Sequence, residues 1–181
     1  MINPVDRTIM QNAWVVDDVA AACLSWVKDI GIGPFFIYEF IGQFSDVRYY
    51  GKPGELDIIV GLAQAGSVQI ELIQPVTKKS AYRQVVPEGT TGFHHACVWS
   101  FDFDADINFF ESRGLKTVNS GSLGITKFAY FDTRSVMGCM LEIATKNEEV
   151  EAFTKVIADA AKNWDGNNFY DKWSDNRYHP Y

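Results

Sequence analysis

The chain has 181 residues and a formal net charge of −7, and 47% of its residues are hydrophobic. This length and apolar content favour one compact domain and exclude an intrinsically disordered chain. The negative charge argues against a surface that binds nucleic-acid phosphates.

The first part of the chain alternates a strand, a helix and further strands. Residues 9–16 predict a strand, and Asp17 and Asp18 supply capping chemistry for a helix that runs to about Asp29. Glycines and a proline at 31–34 end that helix. Apolar runs bounded by turn residues predict the next strands, at residues 35–41, 46–50, 57–63 and 68–74.

The same order of elements then starts again. Residues 93–100 predict a strand and 101–113 a helix that ends at Gly114, and further strands are predicted at 115–119, 127–131 and 139–144. Apart from the short strand at 46–50, the order is β-α-β-β-β twice, which predicts an α+β fold of two βαβββ modules. We expect a single domain over residues 1–181, divided into a first module (9–75), a linker (76–92), a second module (93–145) and a C-terminal helix and tail (146–181).

The remaining signals concern the ends of the chain and its location. Residues 148–162 predict an amphipathic helix, and the aromatic tail from Asn163 is expected to wrap the body or a partner subunit. The N-terminus shows no signal peptide, and no apolar run approaches the ~20 residues of a membrane helix. Cys23, Cys97 and Cys139 lie far apart among apolar neighbours, which predicts buried free thiols and a cytoplasmic location.

Four polar side chains occupy matched places in the two halves. Placing Gln11 on His95 puts Glu71 and Glu142 on the closing strand of each half. A carboxylate within an apolar strand is costly to bury unless a metal ion, another cation or hydrogen bonds compensate it. His94 and His95 should point to opposite faces of a regular strand, and the repeat selects His95 as the equivalent of Gln11.

If each half forms a curved sheet, these side chains converge in one cup as a candidate metal site of Gln11, Glu71, His95 and Glu142. Most ligands in this set are oxygen atoms, which suit Mn²⁺, Co²⁺, Ni²⁺, Fe²⁺ or Mg²⁺, and the set is unlike a sulfur-rich zinc site. Zn²⁺ nevertheless stays among the candidate ions. The alternative is that Gln11 and His95 are satisfied core residues and that each glutamate pairs with an arginine.

Short motifs in this order resemble the vicinal oxygen chelate superfamily, which includes glyoxalase I, methylmalonyl-CoA epimerase, extradiol dioxygenases and bleomycin resistance proteins. Residues 92–97 (GFHHAC) are similar to the "GxHHxA" strand of the epimerase and glyoxalase-like branch, and residues 138–143 (GCMLEI) to its terminal "GxxxEL" strand. Segments 33–36, 70–73 and 130–134 also look like that branch. The epimerases usually have His where this chain has Gln11.

The resemblance implies a cup-like mixed sheet and a metal-dependent enzyme. Such an enzyme would isomerise or epimerise a small carbonyl or acyl-thioester substrate, moving a proton next to a carbonyl while the metal stabilises an enolate. A metal-bound glutamate, Glu142 or Glu71, is then a candidate base. Glu39 is a further candidate, with a solvated edge carboxylate as the alternative. A glyoxalase-like lyase is not separated from an isomerase.

Four residues are candidates for substrate binding. Tyr82 and Arg83 belong to the most basic local segment, residues 78–83, which either faces an anionic ligand or is an exposed linker. Arg134 either binds a substrate carboxylate or pairs with Asp132. Trp99 predicts an aromatic cavity wall, although aromatic residues are also common in cores.

Two other functions stay open. A metal-free small-molecule binding or resistance protein of the same fold is favoured by Gln11 in place of His. An extradiol-type dioxygenase is the less favoured of the two, because it needs two His ligands and a carboxylate and only His95 of three histidines has a ligand-like place. No nucleic-acid or membrane partner is expected. The chain is expected to form a homodimer.

Overall fold

The computed structural model describes residues 7–167, and its elements follow the predicted order. The strands are β1 (Ile9–Val15), β2 (Phe36–Phe40), β3 (Phe44–Tyr49), β4 (Lys52–Pro53), β5 (Ile58–Ala65), β6 (Val68–Pro75), β7 (Gly92–Ser100), β8 (Thr117–Leu123), β9 (Thr126–Phe131) and β10 (Met140–Thr145). The helices are α1 (Val19–Ser25), continued by a π-helical turn (Trp26–Ile30), α2 (Ala81–Val85), α3 (Phe103–Glu111), α4 (Arg134–Met137) and α5 (Glu148–Lys162). Most of the predicted tail, residues 168–181, lies outside the described residues.

All of these strands form one mixed sheet. Strands of the first half lie in the order β2-β5-β6-β1 and those of the second half in the order β7-β10-β9-β8, with β1 and β7 adjacent and antiparallel. In each half the first strand pairs in parallel with the last, β1 with β6 and β7 with β10. The predicted α+β fold of two βαβββ modules is therefore confirmed.

Strands β3 and β4 do not lie beside the other strands of the first half. Residues 46–50 were expected next to the other strands of the first half, but β3 pairs with β8 at the far edge of the second half. Only residues 41–43 separate β2 from β3, so the sheet must curl until its two ends approach each other. The Phe44 ring makes that junction, with centroids 6.1 Å from Phe40 and 5.6 Å from Phe128.

Both helices on the outside of the sheet begin with the same cap. The Asp18 carboxylate accepts a hydrogen bond from the Ala21 amide at 2.9 Å, and Asp102 accepts one from Ala105 at 3.0 Å. These N-caps satisfy backbone donors that the first helical turn leaves free. The repeat in the sequence thus corresponds to a repeat in local structure.

Strand alternation divides the side chains between two faces of the sheet. Ile70 and Leu72 pack under α1, and Leu141 and Ile143 pack under α3. The residues between them on the same strands face the concave side. The inside of the cup therefore receives the polar positions of β6 and β10, while the outside receives their aliphatic residues.

Two helices that flank the modules complete the interior. The predicted linker contains α2, which buries Ala81 and Tyr82 and so is not a simple exposed connection. Helix α5 folds back onto the concave side, where Ile157 is fully buried in the cup's core. Cys23, Cys97 and Cys139 are buried free thiols, as predicted. No helix within residues 7–167 has the length and apolar character needed to cross a bilayer.

Candidate functional site

Two rows of side chains cross the middle of the concave face. In the first row Gln69, Gln11, Cys97 and Glu142 are direct neighbours on β6, β1, β7 and β10. In the second row Ala13 separates Glu71 from His95. The short side chain of Ala13 leaves open the space between the two longer ones.

Glu71, His95 and Glu142 converge at the junction of these rows. The Nε2 atom of His95 lies 2.9 Å from Glu142 Oε2 and 3.6 Å from Glu71 Oε2. One ligand atom from each of the three residues lies within 4.8 Å of the other two. His95 is fully buried, and the side chains of Glu71 and Glu142 are 13% and 10% exposed.

The two adjacent histidines lie on the same side of the sheet, so the prediction of opposite faces is wrong. The pairing of β1 with β7 joins Ala13 to His95 and Trp14 to Phe93, which leaves His94 as an extra residue in a β-bulge. A bulge interrupts the alternation of a strand and re-aims its side chains. Both imidazoles therefore contact Tyr130, with centroids 5.8 Å and 5.0 Å away.

The hydrogen bonds of His94 determine the tautomer of His95. Burial, followed by the neighbouring His95, lowers the pKa of His94 to about 3, so that His94 is neutral at neutral pH. Its Nε2 lies 3.1 Å from the carbonyl oxygen of Ala81, which can only accept, so Nε2 carries the proton. Its Nδ1 must then accept the 2.8 Å hydrogen bond from His95 Nδ1. In neutral His95 the remaining nitrogen, Nε2, is consequently unprotonated.

In the neutral form of His95 this arrangement aims a nitrogen lone pair at two carboxylates. Despite its short distance to Glu142, the buried His95 Nε2 has no hydrogen-bond partner. Three electron-rich atoms facing one another repel unless a cation lies between them. An imidazole held by an outer hydrogen bond, together with two carboxylates, is a donor set that divalent metal ions bind. The residues present therefore fit a metal ion.

Charge repulsion within the group acts on Glu71. Burial raises the pKa of the Glu71 carboxyl well above its ordinary value, and the nearby Glu142 carboxylate raises it further. Both causes disfavour the charged form of an acid. Without a compensating cation, burial and this repulsion favour the protonated form of Glu71.

Gln11 reaches the same region but has a partner of its own. Its Nε2 donates a 2.7 Å hydrogen bond to Oε1 of Gln69, and both amides are buried. The Gln69 Nε2 has no hydrogen-bond partner. Because the nitrogen of Gln11 is used in this bond, its carbonyl oxygen is the end that can act as a ligand.

A cavity of about 150 Å³ lies above these groups. Glu71, Glu142, Tyr82 and Tyr130 contribute to its lining, as does Trp99. The hydroxyls of the two tyrosines are 2.8 Å apart. Burial and the nearby carboxylates raise the pKa of both tyrosines well above the ordinary value, so they are neutral hydrogen-bond donors.

The structure separates the other predicted residues from this cavity. Glu39 is exposed on the outer face of β2, because the next residue, Phe40, lines the cavity. Arg83 makes a 3.1 Å ion pair with Asp17. Arg134 makes a 2.7 Å ion pair with Asp132, the structural alternative considered for it. None of these three predicted residues lines the cavity.

Several residues of the site were not identified from the sequence. Gln69 and Tyr130 both line the cavity, and Tyr130 pairs directly with Glu142 across β9 and β10. The alternation of β6 placed Gln69 on the same face as Glu71, and this signal was sufficient to find it. No sequence signal indicates that Phe153 and Glu149 of α5 contribute to the wall, because this depends on where the helix docks.

Comparisons with known proteins agree with this fold. A family model described as "Glyoxalase/Bleomycin resistance protein/Dioxygenase superfamily" matches residues 10–130. No curated protein sequence matches the chain significantly. The match therefore covers the first half of the sheet and much of the second, and it ends before β10 and α5.

Solved structures of low sequence identity share the fold. Methylmalonyl-CoA epimerase from Mycobacterium tuberculosis is 15% identical, with a TM-score of 0.58 over 84% of this chain and 97% of that one. A methylmalonyl-CoA epimerase in complex with methylmalonyl-CoA and NH4+ is 16% identical, with a TM-score of 0.56 over 78% and 96%. A variant of the Streptomyces coelicolor epimerase in complex with 2-nitronate-propionyl-CoA is 17% identical, with a TM-score of 0.54 over 77% and 96%.

Proposed function

The chain belongs to the glyoxalase/bleomycin resistance protein/dioxygenase superfamily, and we propose that it is a metal-dependent enzyme that moves a proton next to the carbonyl group of a small substrate. Epimerisation or isomerisation is the reaction class. The epimerases of similar fold support this class, as does the presence of both carboxylates on the floor of one cavity.

The observation that carries the proposal is the unpartnered Nε2 atom of His95. It is buried, it is unprotonated in neutral His95, and it faces two carboxylate oxygens at 2.9 Å and 3.6 Å. Glu71, His95 and Glu142 would hold the ion, and the Gln11 carbonyl oxygen is the candidate fourth ligand. When bound, a divalent ion would supply Lewis-acid stabilisation of negative charge on a substrate oxygen.

Glu71 is the residue that we propose as the proton carrier. Its Oε2 is farther from His95 than that of Glu142, and its carboxyl lines the cavity. A bound cation beside the Glu71 carboxyl would hold it in the charged form, which is the form that accepts a proton from a substrate carbon. Glu71 would remove a proton from the carbon beside the carbonyl, and isomerisation follows if it returns the proton to a neighbouring atom of the enolate. Epimerisation requires that the same carbon be reprotonated on its opposite face.

The tyrosine pair supplies hydrogen bonding without charge. One hydroxyl proton is used in the bond between Tyr82 and Tyr130, which leaves the other available to a cavity ligand. A neutral donor in a water-poor site can orient a carbonyl oxygen and stabilise charge that develops there. The substrate is therefore proposed to place its oxygen between this pair and His95.

Metal analysis and proton exchange test the proposal together. The protein is purified without chelator, and its metal content is compared with that of Glu142→Ala. Candidate carbonyl compounds and acyl thioesters are then incubated with the wild type in D₂O, and exchange is followed by NMR. We expect metal in the wild type only, and exchange with at least one compound. A metal-free wild type, or a variant that retains the full metal content, contradicts the metal site.

A second pair of variants separates the proton carrier from the ligands. We expect Glu71→Gln to abolish exchange while retaining measurable metal, since an amide oxygen can still ligate but does not accept a proton at neutral pH. Glu142→Gln should lose more metal than Glu71→Gln. Exchange at the wild-type rate in Glu71→Gln would remove Glu71 from the proposed role.

A metal-free binding protein is the second candidate, and one contact favours it. The Gln11 amide nitrogen is already bound to Gln69 at 2.7 Å, so the first half has an amide held by an internal hydrogen bond where a metal ligand is expected. This candidate predicts ligand binding to the cavity without metal and without exchange in D₂O. The same two measurements decide between the candidates.

A further inference from the structure

The cavity has one wall that lies outside the two modules. Helix α5 contributes Glu149, Val150, Phe153 and Thr154 to its lining. The helix is anchored by Ile157, which is fully buried in the core of the cup. This wall is thus a packed part of the structure and not a loosely attached extension.

Aromatic rings connect this wall to the opposite edge of the sheet. The Phe153 ring lies 5.1 Å from Tyr38, which stacks on Phe40 at 6.1 Å. Phe40 contacts Phe44 at 6.1 Å, and Phe44 contacts Phe128 at 5.6 Å. Four of these five rings line the cavity: Phe40, Phe44, Phe128 and Phe153. A ligand above the glutamates is therefore surrounded by aromatic carbon.

The charged residues that line this cavity are acidic. Glu71 and Glu142 lie at its floor, and Glu149 lines it while being exposed, which places Glu149 at the opening. No lysine or arginine is found among the lining residues of the described chain. The arginines predicted to meet an anion, Arg83 and Arg134, pair with aspartates elsewhere. An anionic ligand would meet like charge at the entrance and no cationic side chain among the described residues inside.

The size of the cavity points in the same direction. Its volume is about 150 Å³, whereas sites for drug-sized ligands measure about 300–1,000 Å³. A coenzyme A thioester has a long carrier with several phosphate charges, for which the lining offers no cationic partner.

We infer that the site takes a compact, uncharged aromatic or aliphatic ketone or aldehyde, and that Phe153 and Glu149 determine this specificity by excluding long or anionic carriers. This substrate class rests on the proposed function, because the proposed function is the reason for expecting a carbonyl group in the substrate. It departs from the acyl-thioester ligands of the epimerases of similar fold.

Three probes test the charge and size of the ligand. Acetophenone, 4-acetylbenzoate and acetyl-CoA each have a carbonyl group, but only acetophenone is small and uncharged. Binding to the full-length protein is measured by calorimetry and ligand-observed NMR, in parallel with and without added Mn²⁺. We expect acetophenone to bind about tenfold or more tightly than 4-acetylbenzoate, and acetyl-CoA not to compete with it.

Variants of α5 assign the specificity to particular residues. Glu149→Lys should reduce the preference for acetophenone over 4-acetylbenzoate by about threefold or more, because it places a cation at the opening. Glu148→Lys is the matched control, because Glu148 is an exposed neighbour that does not line the cavity. At ~0.15 M salt its more distant charge is largely screened, and the preference should be unchanged. Phe153→Ala should improve the binding of the longer 4-acetylbiphenyl relative to acetophenone.

Each outcome bears on one of the two proposals. Binding of 4-acetylbenzoate or acetyl-CoA as tight as that of acetophenone overturns the inferred substrate class, and so does an absence of binding by all probes. If Glu149→Lys and Glu148→Lys have equal effects, Glu149 does not determine the specificity. The metal content of the purified protein is measured separately, and a metal-free protein that still prefers acetophenone refutes the proposed metal dependence while supporting the substrate class.

Discussion

The two halves of the sheet place related strands around the same cavity but equip them differently. Along the β1–β7 junction, Gln11 lies opposite Cys97 and Ala13 lies opposite His95. An approximate two-fold axis between the halves makes Gln11 equivalent to His95 and Ala13 equivalent to Cys97. Such an axis predicts both pairings, because each exchanges into the other. Each strand has its bulge residue immediately before that position, Met10 in β1 and His94 in β7.

What differs is how each half holds its central side chain. In the second half the bulge residue His94 binds His95 from behind, so the metal-facing nitrogen stays free. In the first half the corresponding Met10 cannot make that bond, and Gln11 is held by Gln69 within the site. The position equivalent to Gln69 is Met140, which offers His95 no competing hydrogen bond. The two equivalent backbone positions thus support one ligand held from behind, His95, and one amide whose nitrogen is hydrogen-bonded within the site, Gln11.

The largest effect is expected from removing the ligands of the second half. We predict that His95→Ala and Glu142→Ala each weaken Mn²⁺ binding by more than about 100-fold, beyond what the loss of an outer partner costs. Calorimetric titration with Mn²⁺ measures this, and circular dichroism checks the fold. Glu148→Ala serves as the surface control. Wild-type affinity in either ligand variant contradicts the site.

The two bulges provide the next comparison. His94→Phe keeps a ring of similar size but removes the acceptor for His95 Nδ1, so Mn²⁺ affinity should fall by about 10–100-fold. Met10→Leu changes the equivalent bulge and should leave the affinity within about twofold, because a hydrophobic side chain of similar volume is well tolerated. Equal effects of the two substitutions would show that the His94 hydrogen bond has no special role.

A smaller effect is expected at the amide. Gln11→Ala should weaken Mn²⁺ binding by less than about tenfold, because a neutral amide oxygen is a weak ligand that a water molecule can replace. Gln11→His should instead tighten binding, since it adds an imidazole at the position equivalent to His95. Titration of both variants against the wild type measures the contribution of the first half. A loss in Gln11→Ala as large as that in His95→Ala would mean that the halves contribute equally.

The smallest effect is expected beside the glutamates, where Glu142 pairs with Tyr130 and Glu71 with Leu62. Tyr130→Leu places a leucine beside Glu142, as Leu62 lies beside Glu71 in the first half. The substitution also leaves the buried Tyr82 hydroxyl without its partner. We expect the free energy of unfolding to fall by about 1–3 kcal/mol, measured by urea denaturation, with little change in Mn²⁺ affinity. Leu62→Met is the control, and should cost less than about 1.5 kcal/mol. Equal costs would mean that the hydroxyl pair adds no stability.

Much of the fold and the main part of the candidate site follow from local rules. A period of two placed Glu71 and Glu142 on the concave face, because their neighbours on both sides are buried aliphatic residues of the opposite face. Asp18 and Asp102 marked the helix starts through capping chemistry. Each signal lies within a few residues of the feature that it predicts.

The errors concern pairings between distant segments. Alternation separated His94 from His95, but the bulge depends on how β7 aligns with β1. Arg83 binds Asp17, which is 66 residues away, and no local pattern predicts such a contact. The position of α5 depends likewise on which core accepts Ile157. The cytoplasmic location and the homodimer stay predictions from the sequence.

The crossing from β2 to β3 has a consequence for how the chain folds. Strand β3 belongs to the first half by sequence, but it pairs with β8, 70 to 79 residues later. Contacts between such distant segments are slow to form because a long loop must close first. A fragment that ends at residue 75 therefore has no strand for β3 to pair with other than β4, and the ring of aromatic residues stays open. This exchanged strand makes two duplicated halves a single cooperative unit, in which neither cavity nor core is complete until both have folded.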